Sequence, residues 1–433
     1  MAHPKNVLAL MMCVWDEKNF VHHLQQLSDR VHKKYSLSYS RWDSSPFDID
    51  QYTEQCIDIV REKKIDLVVS GTDVSALVHA AIAETFPHIR GPSVESVFLT
   101  CHKYYSNTVL GSDLDQNRSV VLQLNQDMEE IMTIASEFFY STDGTCFIKP
   151  VLGHSELGSR RITNLEDLHE AVSALKRDRH LHYITEKFMK KWISSEAYPL
   201  AATPCALLEE FCEFQYSSAT MCSVQGGNIL RTAMADWLPV KDRGCVHTSK
   251  FISAIIPSSV KKEEEMKAWQ MTDRIVMKMI QKGFDDQSLN VEFFVLPNGD
   301  FKFLEINGRI DHVLGPLCGQ VYKHGDLVKN LLKLGSGEKI KDTIYRGRVG
   351  FLGMVNTRVS GKAEDILDFQ EISSSPEVQP LVAPDENILV DPRTSSSYIA
   401  YMSLTGVTLK DVKDKYQAIC KRILKKPECS SLE

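Results

Sequence analysis

Two glutamates near residue 300 are spaced so that they could share a metal ion. Alternating apolar and polar residues fill 290–296 and 301–307, and Asn298-Gly299 lies between the two runs. Asn-Gly in that position predicts a two-residue type I′ hairpin turn, because both central residues of this turn need a positive φ. The resulting register pairs Leu296 with Phe301, Phe294 with Phe303, and Glu292 with Glu305.

Opposed carboxylates at this point predict a cation site. Directly opposed side chains have Cβ atoms ~5 Å apart, and like charges there are destabilising. Asn307 lies two residues beyond Glu305 and therefore on the same face of the strand. Two carboxylates and an amide oxygen suit Mg²⁺ or Mn²⁺ rather than zinc. Glu292, Glu305 and Asn307 are thus predicted metal ligands. The alternative is a solvent-facing acidic pair with lysine or arginine partners, and a register shifted by one residue would put the acids on different faces.

A lysine on an apolar strand and a glycine-bracketed loop predict an anion site nearby in the fold. Burying Lys149 among apolar neighbours is costly without an anion, unless its ammonium group reaches the surface. Gly153 and Gly158 bracket a loop whose backbone N–H groups can approach phosphate oxygens, and Ser155 and Ser159 add hydroxyl donors. The residue after Gly158 is serine and not lysine, which excludes a Walker P-loop.

Five segments, in order along the chain, resemble the ATP-grasp superfamily. They are Cys101-His102-Lys103-Tyr104, Phe147-Ile148-Lys149-Pro150-Val151, Gly153-His154-Ser155-Glu156-Leu157-Gly158-Ser159, Leu207-Leu208-Glu209-Glu210-Phe211-Cys212-Glu213, and the hairpin that ends in Leu304-Glu305-Ile306-Asn307-Gly308-Arg309. The resemblance implies a mixed α/β and α+β chain. It would have an N-terminal Rossmann-like α/β domain, a central two-lobed ATP-grasp domain and a small C-terminal α+β unit. It also implies ATP and two Mg²⁺ (or Mn²⁺) ions as cofactors.

Within the superfamily, the C-terminal unit is similar to the tail of the L-amino-acid ligases, which include dipeptide synthases and carnosine synthase. The similarity lies in Gly350-Phe351-Leu352, in Ser360-Gly361-Lys362 and in a closing helix after Gly406-Val407-Thr408. The resemblance therefore implies a carboxylate–amine ligase.

The resemblance also assigns residues to the nucleotide. Lys103 and Lys149 would contact phosphates, with Gly153, Ser155, Gly158 and Ser159 in the covering loop. Glu210 and Phe211 would present backbone groups to adenine, and Glu213 or Gln215 would bind ribose. This hinge lacks the glycine that many members carry before the ribose acid. For Glu209, the alternative role is to pair with a lysine of the same site.

The acid substrate would be held by Arg309, whose planar guanidinium suits a carboxylate and the charge that develops on its phosphorylated form. The alternative for Arg309 is a salt bridge to Asp311. Asp311 and His312 follow where relatives often have glycine, so both are candidate substrate-binding residues. His247 lies in a glycine-containing loop and is a candidate to face the substrate; the alternative is a surface histidine.

The implied reaction forms an acylphosphate from ATP and a carboxylate, and an amine then attacks it to give an amide, ADP and phosphate. The alternatives are an ATP-grasp carboxylase, a purine-pathway ligase, or an ATP-binding regulatory protein without turnover. Met277-Lys278-Met279 matches a biotinyl tripeptide, but it lies in a predicted helix, whereas a biotinyl lysine needs an exposed turn.

Alternating strands and helices must position these residues. In the first hundred residues, strands at 7–14, 37–42 and 65–71 alternate with helices at 18–34, 52–64 and 74–84, which predicts a parallel sheet. Ligand-facing loops lie at the carboxyl ends of such strands, and Ser70–Asp73 follows one of them. The predicted domains are 1–111, 112–341 (a lid lobe at about 112–210 and a metal-binding lobe at about 211–341) and 342–433. Residues 176–204 form an irregular, locally basic stretch that is either an insertion or lid or an ordinary solvated face.

Composition limits the partners. With 50 Lys and Arg against 57 Asp and Glu among 433 residues, the net charge is −7, which argues against a general nucleic-acid binder. No apolar run reaches the ~20 residues of a membrane span, and no signal peptide is evident. Eleven cysteines without C-x-x-C spacing fit reduced cytosolic thiols. We therefore expect a cytoplasmic enzyme for small-molecule carboxylate and amine substrates, with no nucleic-acid or membrane partner. Homodimers are common among the ligases it resembles.

Overall fold

The computed structural model describes residues 5–11, 23–24, 35–41, 48–111, 114–153, 158–178, 180–239, 251–311, 313–390 and 397–425. Within these ranges, three sheets of three, four and eight strands carry the architecture, and two small two-stranded ribbons accompany them.

The N-terminal layer is a parallel sheet, as the alternating pattern predicts. Its elements are β1 (Lys5–Met11), β2 (Tyr35–Arg41), α1 (Ile49–Lys63), β3 (Leu67–Ser70) and α2 (Asp73–Thr85). The strand order is β2-β1-β3, with both neighbours parallel to β1. Strands β1 and β3 are almost continuous apolar runs because both of their faces are covered. The predicted helix at 18–34 lies mostly outside the described residues.

Two short helices lead into the antiparallel four-stranded sheet. In chain order the elements are α3 (Val94–Cys101), α4 (Lys103–Leu110), β4 (Ser119–Gln123), α5 (Met128–Ser141), β5 (Cys146–Pro150), β6 (Arg160–Ile162), α6 (Leu165–Arg177), α7 (His180–Trp192) and β7 (Cys205–Glu210). The strand order is β4-β7-β5-β6. One face, with Ile148 and Leu208, packs on α5 and α6. The alternating residues Lys149 and Glu209 therefore lie on the opposite face.

The basic stretch at 176–204 is partly helical, which corrects part of the sequence-based expectation. Helix α7 covers residues 180–192 of it, with Phe188 and Met189 buried, and bends and turns fill most of 193–204. Lys187 and Lys191 form ion pairs with Asp48 and with Asp50 and Glu54 at the start of α1. Its lysines thus meet acids of the N-terminal layer, a long-range contact that local composition does not reveal.

The eight-stranded antiparallel sheet includes strands from both the central and the C-terminal parts of the chain. Its order is β12-β11-β8-β9-β10-β15-β19-β17. In chain order the elements are β8 (Tyr216–Gln225), β9 (Asn228–Pro239), β10 (Phe251–Ile256), α8 (Lys262–Gln281), β11 (Gln287–Val295), β12 (Phe301–Asn307), α9 (Leu314–Val321), β13 (Tyr322–Lys323), α10 (Leu327–Ser336), β14 (Ile344–Tyr345), β15 (Val349–Thr357), β16 (Gly361–Lys362), α11 (Ala363–Ile366), α12 (Phe369–Ser373), β17 (Val378–Pro380), β18 (Asn387–Ile388), β19 (Ser397–Gly406) and α13 (Leu409–Ile423).

The C-terminal unit has its own apolar cluster, which includes Phe351, Ile399 and Ile419. Its strands nevertheless continue the central sheet through the pairing of β10 with β15. The predicted boundary near residue 342 is therefore not a break between sheets.

Direct contacts anchor the N-terminal layer to the start of β11. The side-chain amide of Gln287 donates to Ser70 Oγ at 3.1 Å, and Arg90 pairs with Asp286 at 2.9 Å. These contacts fix the carboxyl end of β3 beside the hairpin formed by β11 and β12.

Within the described residues, no helix is both long and apolar enough to span a bilayer. The eight described cysteines are all free thiols. Met277-Lys278-Met279 lies in α8, as predicted, and Lys278 donates to the carbonyl oxygens of Val109 and Leu110.

Candidate functional site

Glu292 and Glu305 face each other across the hairpin as predicted, but the turn and the register that bring them together differ from the prediction. The turn has three residues and not two: the Leu296 N–H donates to Asp300 O, the Gly299 N–H donates to Leu296 O, and Gly299 has a φ of 83°. Pro297 explains the difference, since its fixed φ suits the second position of a type I turn and leaves the positive φ to one glycine.

The longer turn shifts the adjacent pairs by one residue. Phe293 now faces Phe303 and Val295 faces Phe301, so the predicted pairs Phe294–Phe303 and Leu296–Phe301 are wrong. A bulge then places one extra residue, Leu304, in β12, and Glu292 again faces Glu305. The two irregularities cancel at the acidic pair.

Electrostatic repulsion marks this acidic pair. Burial, together with the neighbouring carboxylates of Glu305 and Asp311, raises the pKa of Glu292 to about 8. Arg309 and Lys103 oppose this shift, and Lys103 Nζ lies 3.5 Å from Glu305 Oε2. Because the pKa of Glu292 stays raised, the nearby cations do not offset the combined effect of burial and the neighbouring carboxylates.

The Asn307 amide joins this group of side chains. Its Nδ2 donates to Glu292 Oε1 at 3.1 Å and to Asn290 Oδ1 at 2.8 Å, while its Oδ1 accepts from Arg309. The amide would have to turn to present its oxygen beside Glu292. In the described part of the chain no group of three or more His, Cys, Asp or Glu side chains has metal-binding geometry. A metal here would thus rest on two carboxylates and an amide.

Arg309 pairs with an acid that the sequence analysis did not assign to the site. Its Nε lies 3.4 Å from both carboxylate oxygens of Asp73, and it is not paired with Asp311. Burial opposes the guanidinium charge, but Asp73 and the other acids outweigh this effect and raise the pKa of Arg309. Arg309 therefore stays cationic in the cleft.

Asp311 has a structural contact instead. Its Oδ1 accepts from the backbone N–H groups of Val313 and Leu314, at 3.1 and 3.0 Å, and so caps the start of α9. His312 and His247, the two candidate histidines, lie outside the described residues, as does Ser155.

Lys149 and Glu209 form a buried ion pair on the cleft face of the four-stranded sheet. Their charged atoms are 2.7 Å apart, and the side chains are 6% and 8% exposed. This is the alternative role considered for Glu209. The ammonium group of Lys149 is therefore compensated within the protein.

The glycine loop begins beside the other lysine. Lys103 Nζ donates to Gly153 O at 2.8 Å, and its backbone N–H donates to Val151 O. Gly153 and Gly158 have φ values of 150° and 76°, a region that favours glycine. Ser159 follows directly and precedes β6. Lys103 therefore bridges the loop and the acidic pair.

The hinge leaves the four-stranded sheet at Glu210, where β7 ends. Glu210 pairs with Arg118 at 3.4 Å. The Phe211 ring lies under the guanidinium group of Arg161, with 4.2 Å between the guanidinium carbon and the ring centroid. Glu213 is exposed. These hinge residues lie in the segment that links β7 to β8, and thus the four-stranded sheet to the eight-stranded one.

An open cleft lies beside Lys103, Glu305 and Asn307. Its walls come from the N-terminal layer, the glycine loop and the hairpin of β11 and β12. They include Asp73, Thr100, Lys103, Gly153, Glu305 and Asn307. The polar lining residues that the sequence analysis did not assign are Asp73, Thr100, Ser106, Asn107 and Thr185. The position of Asp73, just after a strand of the parallel sheet, was the available signal.

Comparison with solved structures identifies the architecture. The chain is similar to L-amino acid ligase from Bacillus licheniformis, with a TM-score of 0.73, 14% identity and 98% of each chain covered. It is also similar to N5-carboxyaminoimidazole synthetase from Staphylococcus aureus complexed with ADP, with a TM-score of 0.64, 12% identity, and 98% of this chain and 99% of that chain covered.

A third similar structure is the biotin carboxylase domain dimer of the Hydrogenobacter thermophilus 2-oxoglutarate carboxylase, in complex with MgADP, ADP and bicarbonate. Here the TM-score is 0.66 with 15% identity, and 98% of this chain and 91% of that chain are covered. No protein-family model and no curated protein sequence matches this chain. The likenesses show that the chain has the ATP-grasp fold, which confirms the predicted fold class.

Proposed function

We propose that this chain, which has the ATP-grasp fold, is an ATP-dependent ligase that joins the carboxylate of an amino acid or similar acid to an amine. The observation that carries the proposal is the opposed pair Glu292 and Glu305, which lies close to the charges of Arg309 and Lys103. Phosphoryl transfer to a carboxylate requires acidic residues that bind metal. It also requires a cationic residue beside them that binds the carboxylate.

ATP would lie between the two antiparallel sheets. Lys149 would contact phosphate while Glu209 remains its counterion, and Lys103, beside the glycine loop, would be the second phosphate ligand. Backbone groups of Glu210 and Phe211 would meet the base, and Glu213 the ribose. The loop of Gly153, Ser155, Gly158 and Ser159 would cover the phosphates.

The acidic pair fits a divalent metal. Glu292 and Glu305 repel each other, and a cation between them would relieve the effect that raises the pKa of Glu292. The oxygen donors of Glu292, Glu305 and Asn307 would hold Mg²⁺ or Mn²⁺, with two ions in the complete site. Bound metal would supply neutralisation of phosphate charge during transfer.

The reaction proceeds in two displacements. A carboxylate oxygen of the acid, held by Arg309, attacks the γ-phosphorus, and the bond to ADP breaks. The amine nitrogen then attacks the carbonyl carbon of the acylphosphate, phosphate leaves, and the amine loses a proton. Water must be excluded, because it would hydrolyse the acylphosphate. The glycine loop would provide this closure.

Phosphate release with Mg-ATP tests the proposal. We expect release that depends on an amino acid together with an amine, and an amide product by mass spectrometry. Release that depends on bicarbonate would favour a carboxylase, and ATP binding without release under any condition would favour a regulatory protein. A Glu305→Ala variant that keeps full turnover would contradict the site assignment.

Assembly and location belong to the same proposal. Free thiols fit the reducing cytoplasm, and the carboxylase domain named above was crystallised as a dimer. We expect light scattering coupled to size exclusion to give the mass of a homodimer, and a monomer mass would contradict this.

A further inference from the structure

We infer that Asp73 binds the ammonium group of the acid substrate, so that the group activated by ATP is a zwitterionic amino acid and not a simple carboxylate. The inference rests on the proposed ligase function. The inference states that the acid substrate carries an ammonium group in addition to its carboxylate, and that Asp73 recognises this ammonium group.

The first observation is the incomplete hydrogen bonding of Asp73. Arg309 Nε donates to Oδ2 at 3.4 Å, a long contact. The other oxygen, Oδ1, is buried and accepts no hydrogen bond from any described residue. A buried carboxylate oxygen without a donor is costly, and the side chain lines the cleft. A ligand that donates hydrogen bonds would satisfy it.

The second observation is the balance of charge. In the proposed complex, metal would compensate Glu292 and Glu305, which leaves Asp73 and Arg309 paired with each other. A simple carboxylate bound to Arg309 would bring a second anion against Asp73. An amino acid would instead compensate both residues, with its carboxylate on Arg309 and its ammonium group on Asp73.

The third observation is the short distance between the two residues. Their charged groups lie 3.4 Å apart, so the ligand must carry its two charges close together. This favours α- or β-amino acids over acids whose amine lies at the end of a long chain.

The experiment measures activation of the acid substrate alone, independently of the amine substrate. Hydroxylamine replaces the amine and traps the acylphosphate as a hydroxamate, because its nitrogen attacks the carbonyl carbon and phosphate leaves. The probes are matched pairs: L-alanine with propionate, L-leucine with 4-methylpentanoate, and L-phenylalanine with 3-phenylpropionate. β-Alanine and 6-aminohexanoate vary the distance between the charges.

For the wild type we expect at least one amino acid to exceed its des-amino partner by about tenfold or more in kcat/KM for hydroxamate formation. Asp73→Asn should lower the ratio of kcat/KM for that amino acid to kcat/KM for its des-amino partner by about tenfold to 100-fold. Asp58→Asn, which removes an exposed carboxylate of the same layer, should change neither value.

Equal losses for both acids of a pair would show that Asp73 only positions Arg309, and this would overturn the inference while the ligase function stands. Equal use of both acids by the wild type would overturn it without any variant, which covers the case in which Asp73→Asn fails to fold. No hydroxamate with any probe, despite ATP binding, would overturn the proposed function and the inference with it.

Discussion

Glu292 and Glu305 face each other across an antiparallel pair because a three-residue turn and a one-residue bulge compensate. Either irregularity alone would place the two acids on different faces. Their opposition is electrostatically unfavourable in the isolated chain. A fold that holds two irregularities in register to oppose like charges is typical of a functional site.

Removing one of the two acids should separate function from stability. We expect Glu305→Gln to lower turnover by about 100-fold or more, since half of the metal site is lost. In metal-free protein above about pH 8, where Glu292 is ionised, it should raise the melting temperature, because the repulsion between Glu292 and residue 305 disappears. Phosphate release and thermal unfolding measure the two effects. Glu130→Gln, which changes an exposed residue of α5, is the matched control, and lower stability of Glu305→Gln would contradict the electrostatic argument.

The stability of metal-free protein should depend on pH through Glu292. Its pKa is about 8 in the folded chain, above its ordinary value, so the folded state holds a proton that the unfolded state has released. This contribution therefore falls as pH rises from about 4.5 to about 8 and is constant above that range. Thermal unfolding of the wild type and Glu292→Gln across this range isolates the effect. The wild type should lose stability relative to the variant as pH rises, and parallel curves would refute the prediction.

Gly308 lets the N-terminal layer approach the site closely. A Cβ atom there would collide with the Thr100 hydroxyl and lie 3.2 Å from a ring carbon of Phe284. We expect Gly308→Ala to cost about 1–3 kcal/mol of unfolding free energy and to lower turnover, because it lies between Asn307 and Arg309.

Denaturant unfolding and phosphate release test this prediction. Gly315→Ala is the control, since its Cβ would make only ordinary contacts, the nearest at 3.5 Å. Thr100→Ala should partly rescue Gly308→Ala, and a double variant no better than the single one would contradict the steric explanation.

The buried pair of Lys149 and Glu209 should show strong coupling. Lys149→Met leaves a buried carboxylate without its partner and should cost about 3–5 kcal/mol of stability. The double variant with Glu209→Gln should recover much of this stability but should not recover ATP affinity. Unfolding curves give the stability, and titration calorimetry with Mg-ATP gives the ATP affinity, of the wild type, the two single variants and the double variant. Wild-type ATP affinity in the double variant would show that Lys149 does not contact phosphate.

Local patterns were enough to predict most of the elements that form the site. The strand that carries Lys149 and the helix that carries Met277-Lys278-Met279 follow from apolar periodicity, which depends only on near neighbours. The position of the hairpin turn was predicted correctly, but its type was not. Pro297 favours a three-residue turn and Asn298-Gly299 a two-residue turn, and the two differ little in local free energy. Helix α7 was missed because its apolar face packs on α1, far away in the sequence.

The sequence by itself determined the fold class, the opposed acids and the order of the segments proposed to bind nucleotide, because these depend on residue type, spacing and chain order. Only the tertiary structure decided which charges meet. Asp73 and Arg309 are 236 residues apart, and their contact exists because the N-terminal sheet docks on the start of β11. Coulomb interactions act through space over a few ångströms, so no spacing along the chain could reveal this pair.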